Sequence, residues 1–317
     1  MRRALWVVVL FVALVGWVAG GALLSEPPSA GAQSPGVSFG HIVDGQSVPT
    51  GGNQPFYIVA IGSDARPGVC EPVEACLADS IHLIGVNPKE ESASILGFPR
   101  DSYVNIPGFG TQKINNALAH GGPELVAQTV AELVGVEIDY YLLTSFEGLR
   151  HMVEDLGGIE VEIPYAMSDS ASGATFEAGP ATLDGRQALA FARNRKSTPN
   201  GDFSRSENQG LLIMAALEQL RQDVRRDPLR LLTWIVIGLQ NIQTDLTLAE
   251  VFDLMLTALA VDPKDVVNEV TPGGIGSAGA ASIVTLGGEA DAMFADIADD
   301  GVLEASEAEE TEEETTG

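Results

Sequence analysis

The stretch SIHLIGVNPKEESASILGFPRD, residues 80–101, decides the fold of this chain. Two short apolar runs, 80–86 and 93–98, are rich in β-branched and aromatic residues, and they flank the polar segment NPKEES, which is typical of a turn. With FYIVAI at 56–61 they predict three consecutive β-strands. Because consecutive strands are usually neighbours in a sheet, we expect an antiparallel meander.

Outside the meander, helical and strand patterns alternate. Helical spacing of apolar residues predicts helices at 113–120, 123–135, 146–156, 184–190, 205–221, 227–240 and 246–260. Further strands are expected at 139–145, 159–165 and 282–287, the last followed by a short amphipathic helix. The chain is therefore predicted to be an α/β protein with a central mixed sheet and helices on both faces.

The N-terminus carries an uninterrupted apolar segment. Residues 4–24 follow a short stub, 1–3, and contain no charged residue. This length suffices for a transmembrane helix that crosses about 30 Å of hydrocarbon. Two arginines in the stub place the N-terminus in the cytoplasm and the rest of the chain outside. We expect a single-pass anchor in the cell membrane, and a cleaved signal peptide with the small-residue motif at 30–32 is the alternative.

Composition divides the remainder into three parts. Residues 25–52 are rich in Pro, Gly and Ser, which predicts a linker. An extracytoplasmic domain is expected at 53–300. Residues 301–317 contain many acids and no Lys or Arg, which predicts a disordered tail. The net charge of −27 argues against nucleic acid as a partner, because such binding needs a basic face.

The cysteines and histidines of the sequence do not indicate a metal-binding or catalytic site. Cys70 and Cys76 are the two cysteines of the sequence and lie in one loop. In an oxidising compartment they are expected to form a local disulfide. The four histidines are scattered, and His82, inside an apolar strand, is interpreted as structural.

The meander brings charged residues to one edge of the sheet. Asp64 and Arg66 follow the first strand, Asp79 precedes the second, and Arg100 and Asp101 follow the third. Two carboxylates among arginines suit a hard cation such as Mg²⁺ that also holds phosphate oxygens. Arginine itself suits phosphate through its planar fork of donors. Ordinary solvated ion pairs at loop ends are the alternative interpretation.

A second charged cluster is basic. Of the 17 Lys and Arg residues, five lie between 186 and 205, namely Arg186, Arg193, Arg195, Lys196 and Arg205. In so acidic a chain this cluster predicts an anionic ligand. An extended backbone there would point Arg193 and Arg195 to the same side. Because the sequence has no GxxxxGK[ST] motif to suggest a nucleotide, a lipid-linked phosphate is a candidate.

Several blocks of the sequence resemble the LytR-CpsA-Psr (LCP) family of cell-envelope proteins. They are AIGSDAR, ADSIHLIGV, GFPRDSYVNIPG, KINNALAHGG, LTSFEGLRHMVEDLGGIEVEIP and LDGRQALAFARNR…GDFSR, which occur in the family's order and cover about residues 55–222. The resemblance implies an α/β/α domain with a long apolar groove for a polyprenyl chain. It implies an enzyme, a Mg²⁺-dependent (or Mn²⁺-dependent) phosphotransferase that moves a glycopolymer from polyprenyl pyrophosphate onto peptidoglycan in cell-wall assembly.

The same resemblance implies roles for individual residues. Asp64 and Asp79 match the metal-side aspartates of the family. The residues expected to bind the substrate pyrophosphate are Arg66, Arg100, Lys113, Arg193, Arg195 and Arg205. The residues expected to act in catalysis are Arg100, Asp79, Arg193, Arg195 and Asp101. Asp79 is the candidate proton acceptor, and the task of Asp101 stays open.

Two positions depart from the family's pattern. Ala78 stands where an arginine is common before the aspartate, and Asn208 stands where a second arginine often follows the one after DF. Arg66 is expected to replace the donor missing at Ala78.

Two apolar segments, 211–217 and 228–239, are candidates for the lipid groove, and ordinary core packing is the alternative. Two other functions are compatible with the sequence. One is a hydrolase of polyprenyl pyrophosphate. The other is a non-catalytic protein that binds lipid or wall polymer as a regulator or scaffold.

Overall fold

The computed structural model describes residues 54–304. The predicted stub, transmembrane helix and linker, and the tail from residue 305, lie outside the described residues. Within residues 54–304, no helix is both long and apolar enough to span a bilayer.

The described residues form strands of three to ten residues. They are β1 (Phe56–Ser63), β2 (Ala78–Asn87), β3 (Ser92–Gly97), β4 (Tyr103–Ile106), β5 (Gly110–Lys113), β6 (Tyr140–Ser145), β7 (Ile159–Ile163), β8 (Met167–Asp169), β9 (Ala174–Phe176), β10 (Gly179–Leu183), β11 (Ile242–Thr244), β12 (Val266–Val270), β13 (Gly273–Ala278) and β14 (Ala281–Leu286).

The helices of the same part of the chain are α1 (Asn116–Val134), α2 (Phe146–Leu156), α3 (Gly185–Arg193), α4 (Asp202–Arg226), α5 (Arg230–Asn241), α6 (Leu248–Ala260) and α7 (Gly288–Asp300).

The central sheet has six strands in the order β11-β6-β1-β2-β3-β12. The predicted meander is confirmed, because β1 pairs with β2 and β2 with β3, both antiparallel. β6 joins β1 in parallel after the crossover through α1, and β12 joins β3 in parallel. The sheet is therefore mixed, as predicted.

Helices cover both faces of this sheet, which explains why its strands read as continuous apolar runs. Alternate residues of β1 point to opposite faces. Tyr57 and Val59 pack with residues of α1 and α7. Phe56 and Ile58 pack on the other face, where α4 and α6 contribute half-buried side chains. The result is a three-layer α/β/α domain, with α2 and α3 packed beside it on the β7–β10 ribbon.

The two helices predicted at 113–120 and 123–135 are confirmed as two helical segments of α1, joined across a kink. α1 begins at Asn116, because Lys113 belongs to β5, and it runs through to Val134. Its backbone is non-helical at Gly121 and Gly122, and Gly122 has φ +71°, a value that favours glycine. The break falls directly before Pro123, where the sequence predicts a helix start.

Candidate functional site

The ends of the meander meet at one sheet edge. Ser63 at the end of β1 pairs with Ala78 at the start of β2. One residue further, the Asp64 backbone N–H donates to the Leu77 carbonyl at 2.9 Å, and the Leu77 N–H donates to Asp64 Oδ1 at 3.0 Å. Phe98, just past β3, donates its N–H to Ile81 at 2.9 Å. The local pairing thus fixes Asp64, Asp79 and Arg100 on neighbouring strand ends.

Three arginines and two aspartates form one cluster at this edge, here called the arginine–carboxylate cluster (Asp79, Arg100, Arg195, Asp202 and Arg205). Arg100 Nη1 donates to Asp79 Oδ1. Arg205 reaches both acids, with Nη2 at 2.6 Å from Asp202 Oδ1 and Nη1 at 3.9 Å from Asp79 Oδ1. Arg195 Nε lies 3.9 Å from Asp202 Oδ1. Ion pairs therefore exist here, as one interpretation of the sequence expected, but the pair of Arg205 and Asp202 is buried rather than solvated.

Burial sets the character of the cluster. The side chains of Arg205 and Asp202 are only 5% and 9% exposed, whereas that of Arg195 is 46% exposed. Burial lowers the pKa of the Arg205 guanidinium, and the carboxylates of Asp202 and Asp79 offset this in part. For Arg100, burial opposes the charge, but the Asp79 carboxylate, with Asp202 and Asp101, raises the pKa above its usual value. Arg100 therefore stays cationic.

The cluster retains unused hydrogen-bonding capacity. Nε of Arg100 and Nε of Arg205 are buried and donate to no acceptor among the described residues. The 2.6 Å Arg205–Asp202 contact is an ion pair outside hydrogen-bond geometry, and both Asp202 oxygens lack a hydrogen-bond partner in that range. Buried donors without partners are costly, so a bound oxyanion is a ligand that this geometry suits.

Helix geometry explains how Asp202 and Arg205 meet. They occupy positions i and i+3 in the first turn of α4, where side chains share a face. Gln209, one turn further, donates from Nε2 to the backbone carbonyls of Asp79 at 3.3 Å and Ala192 at 3.0 Å. α4 is thereby joined to β2 and to the end of α3, next to Arg193.

Arg193 and Arg195 do not share partners. Arg193 is the last residue of α3, not part of an extended segment, and its guanidinium lies 4.7 Å from the centre of the Phe146 ring. Arg66 approaches the same ring at 5.7 Å. Phe146 thus carries two arginines, an arrangement favoured by the negative face of the ring.

Asp101 has a separate partner. Its Oδ1 accepts from Lys113 Nζ at 2.9 Å, and its backbone carbonyl accepts from the Val284 N–H at 2.8 Å. Asp101 therefore positions Lys113 rather than pairing directly with Arg100.

The candidate metal ligands lie close along the β1–β2 ladder. Asp64 faces Leu77, two residues before Asp79. Both supply the hard oxygen donors that Mg²⁺ prefers. Between residues 54 and 304 no group of three or more His, Cys, Asp or Glu side chains converges in a metal-binding arrangement. A cation there would therefore need ligands from a substrate as well.

The loop between these aspartates is closed covalently. Cys70 and Cys76 form a disulfide, with their Cα atoms 5.9 Å apart. Arg66 is held to the same loop, since its N–H donates to the Cys70 carbonyl at 3.1 Å. The bond thus restrains the segment that carries Arg66.

His82 is a core residue, as interpreted from the sequence. It is fully buried, and its ring contacts Ser80 Oγ at 3.1 Å and the Ser206 carbonyl at 3.0 Å. Burial lowers its pKa to about 4, so the ring is neutral at physiological pH.

Sequence reasoning missed Asp202, Phe146 and Gln209. Asp202 belongs to the GDFSR motif, and its i,i+3 spacing to Arg205 could have indicated an ion pair on one face of a helix. No local sequence pattern indicated Phe146 or Gln209. Phe146 directly follows a strand, and Gln209 is a polar residue inside a helix.

The helices α5 and α6 keep a large apolar surface uncovered, here called the α5–α6 apolar face (Leu229, Val236, Leu248, Phe252 and Leu256). Its members are 60%, 52%, 52%, 39% and 46% exposed, respectively. Of the residues of α6, all within the described range, only Glu250 is buried. The inner sides of these helices pack as core, with Leu231 and Ile235 buried, whereas the exposed apolar side chains are typical of a surface that binds an apolar ligand or partner. The segment 211–217, in α4, is mainly half-buried beneath them.

The described domain thus combines an α/β/α fold, buried arginines at a sheet edge and exposed apolar side chains on α5 and α6. This fold matches several solved structures. Bacillus subtilis TagV superposes with a TM-score of 0.63 at 23% identity, over 77% of this chain and 95% of that one. TagT bound to LIIa-WTA gives 0.62 at 24% identity, over 79% and 91%. B. subtilis TagU gives 0.57 at 27% identity, over 77% and 94%.

The chain belongs to the LytR_cpsA_psr family, whose model matches residues 35–295. Relatives include the polyisoprenyl-teichoic acid–peptidoglycan teichoic acid transferase TagU of Halalkalibacterium halodurans, 39% identical over 170 residues. That match covers 53% of this chain and 54% of the relative. TagU of B. subtilis is 36% identical over 166 residues, 52% of each chain. The chain thus spans about half the length of these relatives.

Proposed function

We propose that this domain transfers a phosphate-linked glycopolymer from a polyprenyl pyrophosphate carrier to a hydroxyl of peptidoglycan. The observation that carries the proposal is the arginine–carboxylate cluster, in which Arg100 and Arg205 hold buried Nε–H groups that find no acceptor among residues 54–304. A pyrophosphate oxygen supplies the missing acceptor. The relatives are teichoic acid transferases by name, which supports the same reaction class.

The reaction needs charge neutralisation more than covalent help. An acceptor hydroxyl attacks the phosphorus that carries the sugar, a new O–P bond forms, and the bond from that phosphorus to the bridging oxygen breaks. Polyprenyl phosphate leaves with that oxygen, and the hydroxyl proton goes to a base. Arg100, Arg193 and Arg195 stabilise the phosphoryl oxygens as negative charge develops. Asp79 is the nearest carboxylate to Arg100 and is our candidate for the base.

Mg²⁺ fits the donor chemistry of Asp64 and Asp79, and we propose that these two carboxylates hold it. The metal would neutralise charge on the pyrophosphate. Arg66 and Lys113, near Phe146 and Asp101, are proposed as outer phosphate contacts.

The carrier needs an apolar surface. The α5–α6 apolar face and the half-buried side chains of α4 supply it. Each buried methylene contributes about 0.8 kcal/mol, so a short length of polyprenyl chain gives substantial affinity. We further propose that residues 4–24 anchor the chain in the membrane and that the domain acts outside the cytoplasm.

The test is product analysis with the full chain in detergent. Lipid pyrophosphate-linked saccharide, peptidoglycan and Mg²⁺ should give a wall-linked glycan, and Arg100→Ala should lower the rate by about two orders of magnitude, as loss of a transition-state donor does. Arg186→Ala removes an exposed arginine of α3 and is the matched control.

Three outcomes would contradict the proposal. Full product formation by Arg100→Ala removes the cluster from the chemistry. Cleavage of the lipid without a wall-linked product makes the protein a hydrolase. Lipid binding without turnover, unchanged by a chelator, makes it a binding protein.

A further inference from the structure

A cleft of about 1270 Å³ opens beside the arginine–carboxylate cluster. Its walls are the loop before α4, the strand β12, the β13–β14 ribbon and the first turn of α7. Asp101, Arg195 and Asp202 also line it, so one end of the cleft reaches the candidate site. Among the described residues that line it, none comes from α5 or α6. The cleft is thus separate from the α5–α6 apolar face.

The electrostatics of the cleft differ from those of a phosphate site. Its described lining includes Glu207, Glu269 and Glu289, and also Asp101 and Asp202, which are paired with Lys113 and Arg205; the one basic residue of that lining is Arg195. Such a wall repels a polymer that carries phosphate groups. An ionised carboxylate accepts hydrogen bonds but donates none, so the ligand must be rich in donors.

Acceptors without partners point the same way. Asp202 is about nine-tenths buried and both its oxygens lack a hydrogen-bond donor in the described part of the chain. A polyhydroxylated ligand supplies donors to the wall of the cleft that carries Asp202.

Apolar side chains complete the lining. Phe203, Val270 and Ile283 lie in the walls, and Ile275 on the β13–β14 ribbon is 81% exposed. A sugar ring presents C–H groups as well as hydroxyls, and this mixture of apolar surface and fixed acceptors is the usual composition of a small-molecule site.

We propose that this cleft binds the acceptor, an uncharged N-acetylated glycan strand whose hydroxyls donate to the acidic wall. The inference rests on the proposed function and assigns a binding site to the acceptor, which is the second substrate of the transfer. Carrier and acceptor then approach from two sides and meet at the arginine–carboxylate cluster. The acidic wall keeps the phosphate-bearing polymer of the donor out of the acceptor position.

Direct binding tests the assignment. The probe is chitohexaose, an uncharged N-acetylated oligosaccharide, titrated into the full chain in detergent and followed by calorimetry. Glu289→Arg and Thr285→Arg place long cations in the cleft from two different elements. Each should weaken binding about tenfold, the change that corresponds to about 1.4 kcal/mol. Glu132→Arg, at an exposed position of α1, makes the same charge change away from the cleft and should leave binding unaltered.

Transfer kinetics separate this assignment from the proposed function. With uncross-linked peptidoglycan as acceptor, both cleft variants should raise the acceptor concentration for half-maximal transfer far more than they change acceptor-free cleavage of the donor. Cleavage that persists also shows that the variants fold.

Two results overturn the assignment while leaving the transferase intact. One is binding and acceptor dependence equal to wild type in both cleft variants. The other is soluble poly(glycerol phosphate) that competes with chitohexaose for the wild-type cleft. If the wild-type chain binds chitohexaose through the cleft but transfers nothing, the glycan site stands and the proposed transferase fails.

Discussion

At the scale of single residues, Arg205 is the member of the cluster on which the others depend. Its side chain is 5% exposed and contacts both Asp202 and Asp79. A buried pair adds little net stability against an apolar replacement, but loss of one partner leaves an uncompensated charge. Arg205 thus holds two carboxylates in place beside the candidate phosphate site.

Arg205→Ala should lower the free energy of unfolding by about 3–5 kcal/mol, because Asp202 stays buried without its ion pair. Urea unfolding monitored by tryptophan fluorescence measures the change. The exposed Arg186→Ala should shift it by less than about 0.5 kcal/mol. A small effect of Arg205→Ala would mean that water enters and solvates Asp202.

His82 makes stability depend on pH. Its pKa is about 4 in the folded protein and about 6.5 when unfolded, so the unfolded chain binds the extra proton between these values. The contribution is fully present above about pH 6.5 and is lost as the pH falls towards 4.

The expected loss between about pH 6.5 and pH 5 is on the order of 2 kcal/mol for wild type. His82→Gln, which does not titrate, should lower stability at neutral pH and remove this part of the pH dependence. Parallel urea titrations at both pH values compare the two proteins. Equal slopes would show that carboxylates, not His82, govern the response.

At the scale of elements, the packing of α4 against β12 is unusually close. A Cβ built on Gly210 would lie 1.9 Å from Asn268 Oδ1, whereas one on Gly238 of α5 would meet nothing within 4 Å. Both glycines are inside helices, so replacing either by alanine brings the same gain in intrinsic helix propensity.

Gly210→Ala should therefore destabilise the fold by about 1–3 kcal/mol through overpacking, even though alanine has the higher helix propensity. Gly238→Ala should instead stabilise it by about 0.5–1 kcal/mol. Thermal unfolding of the two variants gives opposite shifts. A gain in both would show that Asn268 moves aside freely.

At the scale of the whole molecule, charge is the dominant feature. A net charge of −27 makes the compact state repel itself. Screening should relieve this repulsion, because the Debye length shrinks to about 10 Å at 0.1 M salt. The melting temperature should therefore rise between about 20 and 200 mM NaCl. Calorimetric scans in NaCl and KCl test this, and a fall in both salts would mean that attractive ion pairs outweigh the general repulsion.

The meander was predictable because its information is local. Runs such as 56–61 and 93–98 are strongly apolar and a clear turn lies before the third strand. Their antiparallel pairing then placed Asp64, Asp79 and Arg100 together without any side-chain knowledge. By contrast, β12 joins β3 from far along the chain, and no local pattern specifies that partner.

The detailed side-chain arrangement of the site was less predictable, because it depends on contacts between parts of the chain that are distant in sequence. The separation of Arg193 from Arg195 depends on where α3 ends, and helix ends are set within a turn by capping. The ribbon of β4 and β5 was missed because its strands are four residues long and alternate only weakly. Burial of Asp202 follows from the packing of α4, which sequence alone does not reveal.

The closure of the domain by its last helix has a consequence for how the protein is made. Tyr57 in β1 donates its hydroxyl to the Ile297 carbonyl at 2.9 Å, across 240 positions of sequence, and the Leu303 N–H donates to Ser94 Oγ at 2.7 Å. Neither contact can form before synthesis has passed these C-terminal residues. Until α7 has been synthesised, one face of the first strands stays exposed. A nascent chain of this kind therefore needs protection from aggregation during synthesis.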